Sequence, residues 1–131
     1  MIHHSGNGTT PTTWSRTIAD YHVNTKGWGR IAYHFLVHGG GSNRVRYTAA
    51  IDENGYGVHG HNFDCLDICL VGDYDKAAPA ALMVDLTRRL CVVLRRFLGR
   101  DVPIVPHRQL GETECPGGTA FGPDGWLAQI T

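Results

Sequence analysis

The sequence has no excess of either charge, since it contains 12 lysine and arginine residues against 12 aspartate and glutamate residues. Phosphate binding normally requires a basic excess, so this balance argues against nucleic acid as a partner. The sequence also lacks the run of roughly 20 apolar residues that a membrane-spanning helix needs. Its first five residues include two histidines and a serine, so no signal peptide is visible. We therefore expect synthesis in the cytoplasm, or secretion if a signal has been trimmed away, and no insertion into a membrane.

Repeats, low-complexity tracts and linkers are missing as well. A chain of 131 residues, 42% of them hydrophobic, suits one globular domain, so we expect a single domain over residues 1–131 and a monomer. The four cysteines are Cys65, Cys69, Cys91 and Cys115. Two disulfides are possible, but Cys91 falls in a predicted helix and Cys115 in a candidate metal loop. Reduced thiols are therefore the expectation.

Histidine, in contrast, is abundant, with eight residues in the chain. His107 and Cys115 lie in the polar segment PHRQLGETECPG, and imidazole nitrogen and thiolate sulfur are ligands that zinc prefers. A third ligand is available near the start of the chain, in IHHS. Side chains alternate along a strand, so only one of His3 and His4 can face such a site, and the pattern leaves both open. Three protein ligands and an open position are typical of catalytic zinc, whereas four close a structural site.

The apolar patterns predict an α/β fold. Strands are predicted over residues 2–5, 31–38, 44–51, 66–71 and 102–105, and helices over residues 14–25, 79–98 and 124–130. Residues 11–13 offer N-cap chemistry for the first helix. The long helix carries an apolar stripe composed of Leu82, Leu86, Leu90, Val93, Leu94 and Phe97. His59 and His61 lie in a predicted glycine-rich loop that either borders a groove or is solvated.

Five segments of the sequence resemble the type-2 N-acetylmuramoyl-L-alanine amidases, a group that includes phage lysozyme-type amidases and peptidoglycan recognition proteins. These segments are IHHS at residues 2–5, GW at 27–28, YHF at 33–35, CLVGDY at 69–74, and PHRQ through TECPG at 106–117. The last is the most specific, because it combines a histidine, seven intervening residues and Cys-Pro. The resemblance implies one domain with a central mixed β-sheet flanked by helices.

The resemblance also assigns roles to residues. It implies that His3, His107 and Cys115 bind a zinc ion and that Tyr33 is a catalytic tyrosine, although its IAYHF context alone would suggest packing. Thr113 falls where relatives carry lysine or threonine, so a hydroxyl hydrogen bond to the oxyanion is expected there. Cys69 and Val71 occupy the stretch where some relatives place a glutamate base. General-base catalysis would therefore fall to Tyr33 and the metal hydroxide.

The expected activity is hydrolysis of the amide between N-acetylmuramic acid and the L-alanine of the stem peptide, with peptidoglycan as the partner. The chain would act on the cell wall after release, as a phage endolysin or as a bacterial wall enzyme. One alternative is a peptidoglycan-binding module without activity. Such relatives most often lack the cysteine, so Cys115 favours the enzyme. Another alternative, a structural zinc domain, needs a fourth protein ligand that the sequence does not reveal.

Overall fold

A four-stranded mixed sheet forms the centre of the molecule. The computed structural model describes residues 1–6, 14–41 and 43–131, without the side chain of Trp14. The strands are β1 (Ile2–His4), β2 (Phe35–His38), β3 (Arg44–Tyr47) and β4 (Ile68–Leu70). Their spatial order is β1-β4-β2-β3, in which β4 is parallel to both β1 and β2, and β3 is antiparallel to β2.

Helices pack on both sides of this sheet. They are α1 (Trp14–Asp20), which continues as a π-helical turn (Tyr21–Thr25), and the long α2 (Ala81–Leu98). Three 3-10 turns follow, His107–Gln109, Gly118–Ala120 and Trp126–Gln129, the last within the predicted third helix. The N-cap predicted at residues 11–13 lies outside the described residues. In the described part of the chain, no helix combines the length and the apolarity needed to cross a membrane.

The strand predicted over residues 102–105 does not form, although the segment lies beside β1. The Ile2 N–H donates to the Val105 carbonyl at 2.8 Å, and Ile2 forms a single bridge with Pro106. At the next facing position of β1, the His4 N–H donates to Cys115 Sγ, so the contact with this segment does not continue into a ladder. β1 is nevertheless held on both edges, by β4 and by this segment.

The core has two parts, one on each face of the sheet. Between the sheet and α2, the two central strands contribute Val37 and Leu70, and α2 contributes Met83. On the other face, Ile18 of α1 packs with a small buried cluster composed of Leu36, Cys69 and Val71, and Tyr33 is partly buried against it. The side chains of β4 therefore reach both parts of the core. Cys69 and Tyr33 lie on the face that carries α1.

The buried face of α2 differs from the predicted stripe. The fully buried residues are Met83, Val84, Thr87 and Cys91, whereas Leu82, Val93 and Phe97 are 50%, 58% and 69% exposed. Leu86, Leu90 and Leu94 pack against the edge of the core, as predicted. Each step of four residues turns a helix about 40° beyond a full turn. A row of leucines spaced by four therefore drifts around α2 and does not mark one face.

Candidate metal centre

His3 is placed by β1, whose register pairs it with Cys69 of the neighbouring parallel strand. Its side chain is buried, with 1% of the residue exposed. The two ring nitrogens face different partners. Nδ1 lies 3.2 Å from Nδ1 of His107, and Nε2 lies 2.9 Å from Oδ1 of Asp67. His3 therefore presents Nδ1 to the loop that follows residue 106.

That loop is closed on itself. His107 begins a 3-10 turn, and the next residue, Arg108, donates its backbone N–H to the Cys115 carbonyl at 2.9 Å. This hydrogen bond brings the two ends of the loop together. His107 and Cys115 consequently face the same point, although eight residues separate them in the sequence.

Cys115 completes the cluster and also contacts the backbone of β1. Its Sγ accepts a hydrogen bond from the His4 backbone N–H at 3.3 Å and lies 3.9 Å from His3 Nδ1. The residue is 9% exposed. One ligand atom from each of His3, His107 and Cys115 lies within 4.8 Å of the others. The structure therefore brings together all three residues that the sequence suggested as ligands.

The spacing of these atoms fits a zinc ion. In a tetrahedral site, zinc–nitrogen and zinc–sulfur bonds of ordinary length place two nitrogens roughly 3.3 Å apart and nitrogen and sulfur about 3.6 Å apart. The corresponding distances here are 3.2 Å between the histidine nitrogens and 3.9 Å from His3 to Cys115. Only small side-chain movements separate this arrangement from a coordination sphere.

The protonation states also suit a metal. Burial lowers the pKa of His3, and burial together with the nearby His3 lowers the pKa of His107 to about 4, so both imidazoles are neutral at pH 7 and keep a lone pair. Burial raises the pKa of the Cys115 thiol to about 11. Without a cation this thiol keeps its proton, and a bound metal would remove it. The pocket therefore favours a thiolate only when a metal is present.

Tyr33 lies next to the cluster, just before β2, because the strand predicted over residues 31–38 begins only at Phe35. Its ring centroid is 5.1 Å from that of His3. Burial, with Cys69 and Cys115 nearby, raises the pKa of its hydroxyl well above the usual value. The hydroxyl therefore keeps its proton. The retained proton favours a role of Tyr33 as a hydrogen-bond donor and argues against its expected role as a general base.

A cleft opens beside Tyr33. Its volume is about 400 Å³, and its other lining residues are Ser5, Thr17, Ile18, Tyr21 and His22. A larger cavity of about 580 Å³ lies on the far side of β1, against the C-terminal half of α2. None of the three clustered residues lines either cavity. The smaller cleft adjoins the cluster only through Tyr33, whose ring faces that of His3.

Thr113 and His4 have defined contacts in the structure. The Thr113 Oγ1 accepts the backbone N–H of Cys115 at 3.2 Å, so this hydroxyl shapes the loop. The His4 ring accepts the Tyr74 N–H at Nδ1, which leaves the proton of its neutral form on Nε2. His4 also lies within 4.8 Å of the exposed carboxylates of Asp73 and Asp75. It points away from His107, as strand alternation requires.

A family model described as N-acetylmuramoyl-L-alanine amidase matches residues 1–118. The chain belongs to this amidase family. N-acetylmuramoyl-L-alanine amidase of Homo sapiens is 34% identical over 111 residues, which cover 81% of this chain and 19% of the human protein. Peptidoglycan-recognition protein LB of Drosophila melanogaster is 32% identical over 110 residues, which cover 81% of this chain and 46% of that protein. The chain spans less than half of either relative.

Solved structures confirm the predicted amidase fold, a mixed sheet with flanking helices. The endolysin of Thermus scotoductus bacteriophage Ph2119 has a TM-score of 0.80 at 26% identity, covering 98% of this chain and 81% of the endolysin chain. Drosophila recognition protein LB has a TM-score of 0.75 at 28% identity, covering 95% and 79% of the two chains. Drosophila recognition protein SD has a TM-score of 0.83 at 20% identity, and the match covers 95% of this chain and 79% of that chain. This likeness shows the same fold.

Asp67 is the site residue that sequence reasoning missed in this amidase chain. It lies just before β4, is fully buried, and contacts His3 on the side away from His107. A signal was present in the sequence, since Asp67 is a lone carboxylate between Leu66 and Ile68 in an otherwise apolar run. Such a residue is almost never fully buried unless it is paired.

The other candidate residues remain outside the cluster. His34 is buried, accepts the Asp67 N–H at Nδ1 and lies 2.9 Å from the Glu53 carbonyl through Nε2. His59 is exposed, and His61 lies 3.4 Å from the Asp64 carboxylate. All four cysteines are free thiols.

Proposed function

We propose that this chain is a zinc-dependent amidase that hydrolyses the bond between the lactyl group of N-acetylmuramic acid and the L-alanine of the stem peptide. The observation that supports it most is the cluster of His3, His107 and Cys115 beside the ring of Tyr33. Membership of the amidase family agrees with this chemistry. Hydrolysis consumes water and yields a lactyl carboxylate and a free alanine amino group.

The ligand set fits zinc in number, type and spacing. His3 and His107 would bind through Nδ1, and Cys115 through its thiolate. When bound, zinc supplies Lewis-acid polarisation of a carbonyl and an activated water. Three protein ligands leave a position open for chemistry. The fourth protein ligand of a structural site is not found among residues 1–6, 14–41 and 43–131.

The chain's own residues would stabilise the transition state. Tyr33 faces the His3 ring and keeps its proton, so it can donate a hydrogen bond to the developing oxyanion. The Thr113 hydroxyl accepts the Cys115 N–H, which holds the loop in shape and leaves its own proton available. We expect Thr113 to contribute less than a charged residue would at that position.

The cleft beside Tyr33 gives this proposal a place for the stem peptide. It runs along α1 and the π-helical turn, and its walls include Ile18, Tyr21 and His22. The wall mixes apolar and polar groups, as small-molecule sites commonly do. We propose peptidoglycan as the partner, because a mutant of Drosophila recognition protein LB, 27% identical to this chain, has been solved in complex with tracheal cytotoxin. Tracheal cytotoxin is a monomeric peptidoglycan of the diaminopimelic acid type.

We also propose a role in breaking down bacterial cell walls. The phage Ph2119 endolysin supports it, because that structure is 26% identical and covers nearly the whole chain. A binding module without activity is the competing function. The intact cluster favours the enzyme, since binding alone does not require a metal.

The test uses zinc-loaded protein and purified peptidoglycan. We expect free N-terminal alanine to appear with time and no new reducing sugar ends. The Cys115→Ser variant serves as the control, and it should release no alanine. Binding to peptidoglycan without any release would favour the module, and new reducing ends would mean that a glycosidic bond is cut.

A further inference from the structure

Asp67 carries a buried carboxylate whose surroundings are unusual. No part of the residue is exposed, and Oδ1 lies 2.9 Å from Nε2 of His3. The other oxygen, Oδ2, is buried and has no hydrogen-bond partner among the described residues. No lysine or arginine in the described ranges pairs with it, since its ion-pair contacts are to His3 and His34. A buried charge is costly unless it is paired, so this carboxylate requires an explanation.

The backbone of Asp67 is held in place. Its N–H donates to His34 Nδ1 at 3.0 Å, and its carbonyl accepts the N–H groups of His34 and Phe35 at 2.9 and 3.1 Å. The ring of His34 is itself oriented by the Glu53 carbonyl at 2.9 Å. On the side of Asp67 these contacts use only its backbone N–H and carbonyl, so they would survive replacement of its carboxylate.

Two glycines leave the space that the carboxylate occupies. A Cβ at Gly55 would lie 2.1 Å from Oδ2 of Asp67, and a Cβ at Gly57 would lie 2.5 Å from Oδ1. Real Cβ atoms essentially never come so close to another heavy atom. The loop that contains these glycines is therefore shaped around the carboxylate of Asp67.

A zinc ion bound at Nδ1 of His3 would place a positive charge across the ring from the Asp67 carboxylate. A zinc ion with two neutral imidazoles and one thiolate keeps a single positive charge in a buried place. The Asp67 carboxylate supplies the matching negative charge through His3.

We propose that Asp67 is a positioning residue for the metal. Its Oδ1 accepts the Nε2 proton of His3, which fixes the tautomer and directs the Nδ1 lone pair toward His107 and Cys115. The carboxylate also makes His3 a stronger ligand and neutralises the buried centre. This inference rests on the zinc site proposed above and extends it to a residue that does not touch the metal.

The first test measures zinc affinity by competition with a chromophoric chelator. We expect Asp67→Asn to weaken zinc binding about 10- to 100-fold, because the amide keeps the size and an acceptor oxygen but loses the charge. Asp64→Asn is the matched control, since Asp64 is an exposed carboxylate in the same segment, and its affinity should equal that of the wild type. Wild-type affinity in Asp67→Asn would contradict the proposal. Absence of zinc binding by the wild type would instead refute the proposed function.

The second test separates a metal-positioning role from a structural one. In excess chelator, Asp67→Asn should melt at or above the wild-type temperature, because it removes a buried negative charge that no lysine or arginine of the described residues neutralises. A variant that is unfolded, or that melts well below the wild type in chelator, would assign Asp67 to the fold and overturn the proposal.

A third measurement needs no variant. In nitrogen-15 NMR spectra of the metal-free wild type, the neutral His3 ring should carry its proton on Nε2. A proton on Nδ1 would contradict the inference, because that nitrogen could not then face a metal with its lone pair. This result does not depend on cleavage of peptidoglycan.

Discussion

Tyr33 shows how one hydroxyl gains a chemical role from its surroundings. Its ring lies 5.1 Å from the ring of His3, and burial raises the pKa of its hydroxyl. Loss of a preorganised oxyanion donor typically costs roughly 100- to 1000-fold in rate. We expect Tyr33→Phe to lower alanine release from peptidoglycan by about this factor while zinc content stays unchanged.

The matched control for this prediction is Tyr47→Phe, which removes a hydroxyl from an exposed tyrosine on β3. Both variants are assayed for released alanine and bound zinc. An active Tyr33→Phe protein would show that Tyr33 only packs against the face that carries α1.

At the scale of elements, truncation of two neighbouring side chains tests which face of α2 is buried. Met83 is 2% exposed and accepts a hydrogen bond from the Tyr74 hydroxyl at 3.1 Å, whereas the adjacent Leu82 is 50% exposed. We expect Met83→Ala to lower the free energy of unfolding by about 2–5 kcal/mol, as other buried truncations do. Leu82→Ala should change it by less than about 0.5 kcal/mol. Urea unfolding measures both, and equal losses would contradict this orientation of α2.

The hairpin of β2 and β3 gives a prediction about pH. Burial, with Arg46 and Arg44 of β3 adding to it, lowers the pKa of His38 to about 4. The unfolded chain binds this proton near pH 6.5, but the folded chain resists it until about pH 4. The free energy of unfolding therefore falls as the pH is lowered through this window.

Replacing His38 with glutamine should make the loss of stability between pH 6.5 and 4 smaller than in the wild type. Thermal melting at several pH values measures this slope. The matched control is His59→Gln in an exposed loop, which should keep the wild-type slope. If His38→Gln loses stability with falling pH as steeply as the wild type, His38 binds its proton equally well in the folded and the unfolded chain.

At the scale of the whole molecule, the centre joins parts of the chain that are far apart in sequence. His3 stands near the beginning, and His107 and Cys115 lie more than 100 residues later. β1 is held by β4 on one edge and by the contact of Ile2 with Val105 on the other. The anchored strand and the closed loop together bring the three side chains to one point.

The sequence predicted the parts of the fold and site that depend on local pattern. The His107–Cys115 loop could be identified because ligand types and spacing are visible in the residues themselves. The choice of His3 over His4 needed the resemblance, since alternation alone allows either. The orientation of α2 was missed because leucines spaced by four drift around a helix. Asp67 was missed because its contact with His3 depends on the pairing of β1 with β4.

The most direct test of the account is the zinc content of His3→Ala, His4→Ala and Cys115→Ala proteins, measured beside alanine release. We predict that His3→Ala and Cys115→Ala lose both zinc and activity, because each removes a ligand. His4→Ala should retain zinc, since its Nδ1 accepts the Tyr74 N–H and its ring points away from His107. A His4→Ala protein without zinc, together with a His3→Ala protein that keeps it, would contradict the proposed centre.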